Sequence, residues 1–209
     1  MNDIEWIFFD MGYTLVNEDG AHERRITTAM RQLEDMGISV TRGQFWETAY
    51  EYGDRGKAPF PSAARHFGLR HMPDYTIDGE VPYPDARTTL WRLRSRFRLG
   101  IIANQPLGSA HRLTVYGLAD CFDALFPSAE MGTEKPDPEL YRIALRNVGC
   151  LPGHAVMVGD RPDNDIAPAH EAGMHTIRIL RGFYRGMADT VKPDLTVSGL
   201  AEIAGYFNC

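Results

Sequence analysis

The segment Trp6-Ile-Phe-Phe-Asp10-Met-Gly-Tyr-Thr14-Leu15 constrains the fold more than any other. Its opening run is continuously apolar, which marks a strand buried on both faces, as in a parallel sheet covered by helices. The run ends on a carboxylate, and glycine and threonine shape the turn that follows. Ligands of open α/β sheets bind just beyond the carboxyl ends of strands, so Asp10 stands where chemistry would take place. Aspartate is also a common turn and cap residue, and this segment alone leaves both uses open.

Downstream the chain has two textures. From His22 to Met36, residues Ile26, Met30 and Leu33 recur at helical spacing, with Gly37 as a stop. Thr41–Tyr52 is a second candidate helix with Phe45, Ala49 and Tyr52 on one side, and Pro61–Leu69 is a third. Met72–Pro84, which gathers proline, glycine and aspartate, reads as a return linker. Beyond it helix and strand alternate. Helices are expected at Asp85–Phe97, Ser109–Tyr116, Asp137–Val148 and Asp163–Ala172. Strands are expected at Arg98–Asn104, Ala124–Phe126, His154–Gly159, His175–Leu180 and Asp194–Val197. The helix at 137–148 is the best delimited, with Asp137 as N-cap, Pro138 at its first position and Gly149 as its stop. Such alternation means parallel βαβ units. The expected fold is α/β, a doubly wound, mostly parallel sheet from 1–16 and 84–209, with a helical domain at 17–83 inserted after the first strand.

The formal charge of −6 gives no electrostatic footprint for nucleic acid. Arginines cluster between Arg87 and Arg98, but Ala86, Leu90, Leu93 and Phe97 make one apolar stripe there and leave the arginines on a solvated face. Cys121, Cys150 and Cys209 have no metal-ligand spacing and read as free thiols of a reducing compartment. The run at 4–9 is too short to span a bilayer, and no leader pattern precedes it. A cytoplasmic protein with a small-molecule ligand, and with neither nucleic acid nor membrane as partner, is expected.

Three more segments end at the same sheet edge as Asp10. Leu99–Gln105 is a strand whose last residues, Ala103, Asn104 and Gln105, could offer backbone N–H groups to an anion. Gly132-Thr-Glu-Lys135-Pro136 puts a lysine before a well-capped helix. Val156-Met-Val-Gly159-Asp160 runs on into an acidic loop that ends at Asp165. Alone, Lys135 is an ordinary surface residue and Asp163 an N-cap. Together the segments offer carboxylates, an ammonium and little histidine, which suits a hard cation, Mg²⁺ best. A cation beside a carboxylate and a lysine is a phosphate site.

In order and spacing, Asp10-Met-Gly12-Tyr-Thr14, Ala103-Asn104, Lys135-Pro136 and Gly159-Asp160…Asp165 resemble the motifs of the haloacid dehalogenase-like (HAD) hydrolases. The likeness covers nearly the whole chain and points to the branch with a helical C1-type cap on a Rossmann-like core. It implies that Asp10 is a nucleophile forming an aspartyl-phosphate. It also implies that Asp10, Asp160 and the Gly12 carbonyl hold Mg²⁺ with support from Asp165. Lys135 would hold Asp10 and the transferring phosphoryl group, and Thr14 would stabilise the turn. A phosphatase acting on a small phosphorylated metabolite is the activity so implied.

Two positions depart from the family pattern. Gly12 stands where phosphatases of the family carry a second aspartate as general acid and base, and Ala103 replaces a phosphate-binding Ser or Thr. General acid–base help is worth about 10²–10⁴-fold, so good leaving groups such as acyl or aryl phosphates are favoured unless Tyr13, His22 or His66 supplies the proton. The same departures allow a non-catalytic member that binds a phosphorylated ligand or a protein partner. A phosphonate-cleaving enzyme using Lys57 ranks lower. A metal-free dehalogenase is disfavoured by the intact acidic loop. In the inserted domain Arg24, Arg25, Tyr50, Arg55, Lys57 and Arg65 are candidates to reach a phosphorylated ligand.

Overall fold

The computed structural model describes residue 1 and residues 3–209. Trp6–Phe9 forms β1, with every residue buried, as its unbroken apolar run requires. A two-stranded ribbon follows from β2 (Val16–Asn17) and β3 (Val81–Pro82). The later strands are β4 (Arg98–Ala103), β5 (Ala124–Pro127), β6 (Ala155–Gly159), β7 (His175–Ile179) and β8 (Leu195–Val197). Together with β1 they form a six-stranded sheet in the order β5-β4-β1-β6-β7-β8, and each neighbouring pair is parallel. The fold is thus the doubly wound α/β sheet expected from the alternation. Because β1 lies between β4 and β6, the residues after Phe9, Ala103 and Gly159 emerge side by side at one sheet edge.

The chain divides into two compact units: residues 1–16, 82–181 and 189–209 form the first, and 17–81 with 182–188 the second. Gly182–Ala188, read from the sequence as part of the core, belongs by its packing to the second unit. The reason is aromatic burial, since Phe183 sits among rings of that unit.

The second unit is built on α1 (Asp19–Asp35), α2 (Arg42–Asp54) and α3 (Pro59–His66). In α1 the buried residues are Ala21, His22, Ile26, Ala29 and Leu33, while Met30 is half-buried. In α2 the buried face is Phe45, Ala49 and Gly53, a strict i, i+4, i+8 row. Tyr52, expected there, is only half-buried. The Thr41 side chain caps α2, and Gln44 returns the bond to the Thr41 N–H.

His22 is stacked on Phe60 at 3.7 Å between ring centroids, and burial drives its pKa down to about 3, with Arg25 adding to the effect. Above about pH 6.5 both folded and unfolded states hold it neutral. Below that the unfolded chain takes the proton and the folded one does not, so stability falls with pH until about pH 3. Relative to His22→Phe, the native protein should lose about 2 kcal/mol between pH 7 and pH 5, read from urea unfolding.

In the first unit two apolar clusters cover the two sheet faces. One takes Ile7, Phe9, Ile101 and Val158 with Leu90 and Leu93 of α4 (Ala86–Arg94) and Leu200 and Ile203 near the C-terminus. The other takes Trp6, Phe8 and Met157 with Leu140, Tyr141, Ala144 and Leu145. Helices α5 (Ser109–Val115) and α6 (Ser128–Met131) precede α7 (Pro138–Val148), which carries those last four residues. The Asp137 side chain accepts the Glu139 N–H at 2.8 Å, and Gly149 closes α7 in the left-handed region at φ +66°. Helices α8 (Ala167–Glu171) and α9 (Leu200–Tyr206) complete the unit, and the sequence pattern did not anticipate α9.

The expected helix at Asp163–Ala172 is present, but its first turn is π-helical rather than α-helical. Pro162–Ile166 forms a π-helical turn before α8. Asp163 is therefore not an N-cap, and its carboxylate instead accepts from Nε and Nη2 of Arg161. Among the described residues no helix is long and apolar enough to cross a membrane.

Candidate active site

At the carboxyl edge of the sheet, Asp10, Asp160 and Asp165 place one carboxylate oxygen each within 4.8 Å of one another. Asp10 follows β1, and its N–H donates to the Val158 carbonyl at 2.9 Å, which ties it to β6. Asp160 follows β6, and Asp165 returns from the π-helical turn. The Lys135 ammonium bridges Asp10 at 2.5 Å and Asp165 at 2.6 Å. Lys135 and Asp165 are almost wholly buried, whereas the Asp10 side chain keeps 14% of its surface open. The one open carboxylate of the cluster is thus the one a ligand could meet.

Local structure holds each group. The Arg161 N–H donates to the second Asp165 oxygen at 2.9 Å. Gly159 is required by close approach, because a Cβ there would overlap the Asp165 carboxyl group. The Asn104 amide donates to the Lys135 carbonyl at 2.8 Å, and its oxygen accepts the Lys135 N–H at 2.7 Å. This reciprocal pair fixes the loop that delivers the lysine. Under the acidic loop, the Tyr141 hydroxyl donates to the Asn164 carbonyl at 2.6 Å. Tyr141 drew no notice in the sequence, since nothing local links it to a loop more than twenty residues away.

Electrostatics follow from burial and charge count. Burial, then the neighbouring Asp165 and Asp10 carboxylates, push Asp160 well above the usual carboxylate range. Burial also raises Asp165, against the pull of Lys135. Burial opposes the charge on Lys135, yet Asp10 and Asp165 together hold it above an ordinary lysine. With all three acids ionised, as a bound cation would require, three carboxylates against one ammonium leave two negative charges in a buried place. Such a donor set, all oxygen and doubly negative, suits a hard divalent cation.

The remaining expected residues are distributed as follows. Gly12 is outside the left-handed region that only glycine tolerates well, whereas Tyr13 is in it at φ +50° and is buried. The Thr14 hydroxyl is buried with no hydrogen-bond partner, so its side chain does not stabilise the turn as expected. Instead the turn is held by main-chain bonds from Thr14, Leu15 and Val16 to the Met11 carbonyl. Ala103 is fully buried in the core, and its methyl group packs there. The Gln105 N–H donates to the Ser128 hydroxyl at 3.1 Å, and the Gln105 side chain accepts from Arg112. Arg112 was not anticipated either, since it sits one turn into α5. In the second unit Arg24, Lys57 and His66 are exposed, with His66 Nδ1 3.4 Å from the Tyr52 hydroxyl.

A family model described as HAD-hydrolase-like matches residues 133–203. The glyceraldehyde 3-phosphate phosphatase of Methanocaldococcus jannaschii is 37% identical, over 96% of this chain and 95% of that one. The pyrimidine 5'-nucleotidase YjjG of Escherichia coli is 34% identical, over 95% and 96%. Among solved structures, a HAD phosphatase from Thermococcus onnurineus superposes with a TM-score of 0.70 at 25% identity, covering 98% of each chain. The L-2-haloacid dehalogenase of Xanthobacter autotrophicus has the same fold, with a TM-score of 0.67 at 19% identity. With a six-stranded parallel sheet, the motif order and full-length relatives at this identity, the chain belongs to the haloacid dehalogenase-like hydrolases.

Proposed function

We propose that the chain is a Mg²⁺-dependent phosphohydrolase that acts on a small phosphorylated metabolite through an aspartyl-phosphate at Asp10. The observation that carries this reading is the partly open Asp10 carboxylate held by Lys135 beside the buried Asp160 and Asp165. Asp10, Asp160 and the Gly12 carbonyl would hold the cation, with Asp165 in support. When bound, the cation offsets the remaining negative charge and that of the phosphoryl oxygens.

The residues' own work has two stages. In the first, an Asp10 oxygen forms a bond to phosphorus as the bond to the leaving oxygen breaks, and the electron pair goes to the leaving group. In the second, water attacks the aspartyl-phosphate, phosphate departs and the carboxylate is restored. Lys135 holds Asp10 aligned through their direct ion pair and adds a fixed positive charge to the phosphoryl oxygens. The Asn104 N–H would take the place of the absent hydroxyl; that of Gln105, expected to help, already donates to Ser128. With Gly12 no side chain at that position protonates the leaving group, so the rate should depend steeply on leaving-group acidity.

Phosphate release from acetyl phosphate, an aryl phosphate and glyceraldehyde 3-phosphate tests the reading. Acetyl and aryl phosphates should turn over about 10²–10⁴-fold faster than the alkyl ester, and a chelator should abolish all three. Release that ignores the chelator would remove the metal from the account. The loss of both side-chain groups, at Gly12 and Ala103, also supports a second reading, a member that binds a phosphorylated ligand without turnover. Mg²⁺ binding with no release from any of the three substrates would favour it.

A further inference from the structure

The Asp165 carboxylate is held at both oxygens, by Lys135 Nζ at 2.6 Å and by the Arg161 N–H at 2.9 Å. Those contacts orient it only as well as the main chain beneath is fixed, and that main chain lies in an irregular turn. The irregularity has a cause in the sequence. In an α-helical register the carbonyl of residue 164 accepts the N–H of residue 168. Residue 168 is Pro168, which has no N–H and crowds the carbonyl four positions back. The chain widens instead into the π-helical turn at Pro162–Ile166. There Asp165 and Ile166 donate to the Arg161 carbonyl, and Ala167 donates to that of Pro162.

The Asn164 carbonyl, immediately before Asp165, accepts its hydrogen bond from α7, from the Tyr141 hydroxyl at 2.6 Å. Tyr141 is fully buried, with its ring in the cluster that holds Phe8 and Met157. Burial, with Asp165 and Asp10 adding to it, raises the phenol well above its usual range, so the hydroxyl stays a donor at neutral pH. The same helix starts just after Lys135, with Asp137 as its N-cap. One element thus offers an ammonium to the Asp165 side chain and a hydroxyl to the peptide before it.

From this arrangement we propose that Tyr141 is a positioning residue for the cation site, whose hydroxyl fixes the peptide that carries Asp165. The inference rests on the Mg²⁺ reading above and concerns how tightly the site holds the ion. Groups that hydrogen-bond behind a metal's ligands tune its affinity by about 10–100-fold, because they hold the ligands in place before the ion arrives. Proline at residue 168 makes the hydroxyl necessary here, since the helix itself has no N–H for that carbonyl.

Calorimetric titration with Mg²⁺, on the full chain free of substrate, compares the native protein with Tyr141→Phe and Leu145→Val. Tyr141→Phe removes one oxygen and keeps the ring, and should raise the Mg²⁺ Kd about tenfold. With acetyl phosphate its half-saturating Mg²⁺ should rise by the same factor, and the rate should return at raised Mg²⁺. Leu145→Val thins the same cluster from the same helix, one turn on, but takes no polar group from the loop. Its Kd should stay near the native value. An equal rise in both variants, or an unchanged Kd in Tyr141→Phe, overturns the proposal. A lost rate that no Mg²⁺ concentration restores also overturns it. A native protein that binds no Mg²⁺ overturns this inference together with the metal reading. Mg²⁺ binding without turnover overturns the hydrolase alone, and the Kd comparison, read without substrate, still decides the role of Tyr141.

Discussion

Replacing Lys135 by alanine should destabilise the protein by about 3–5 kcal/mol at neutral pH, the range for breaking a buried ion pair by removing one partner. Lys135 is the only ammonium among the described residues that touches the carboxylate cluster, and it serves Asp10 and Asp165 at once. Without it, all three acids of the cluster lack a direct cationic partner, two of them buried. The variant should also hydrolyse no substrate, because nothing else fixes Asp10. Mg²⁺ should recover part of the stability, since a ligand that binds only the folded state stabilises it by mass action. Urea unfolding with and without Mg²⁺ measures both effects. A loss under about 1 kcal/mol would mean that the bridge is screened like a surface pair.

Gly12→Asp should have the opposite sign. Restoring a carboxyl group at that position should raise turnover of an alkyl phosphate by up to about 10²–10⁴-fold and leave an acyl phosphate nearly unchanged, because an acyl leaving group needs no proton. The left-handed residue of this turn is Tyr13, at φ +50°. A variant that folds and binds Mg²⁺ but gains nothing on the alkyl ester would show that the missing acid does not limit the rate.

Much of the fold was legible because its signals are local. The apolar runs before Asp10 and Asp160 became central strands, and the cap, proline and glycine of α7 fell where short-range rules put them. The site was legible for a related reason, since parallel strands deliver their last residues to one edge whatever lies between them. What the sequence did not disclose depends on contacts far along the chain. Phe183 is assigned to the second unit by Trp46, Tyr50 and Phe60, each more than a hundred residues away. Asn104 was read for its backbone, and only the fold reveals its side chain against Lys135, thirty-one positions on. Asp163 was misread because its real partner, Arg161, competes with the capping role that local rules assign it.

The most direct test of the central claim is phosphate release from acetyl phosphate by the native protein and Asp10→Asn, each with Mg²⁺ and with chelator. The account predicts metal-dependent release by the native protein and none by Asp10→Asn, whose amide can neither attack phosphorus nor carry the charge that pairs with Lys135. Equal release by the two proteins would contradict an aspartyl-phosphate at Asp10.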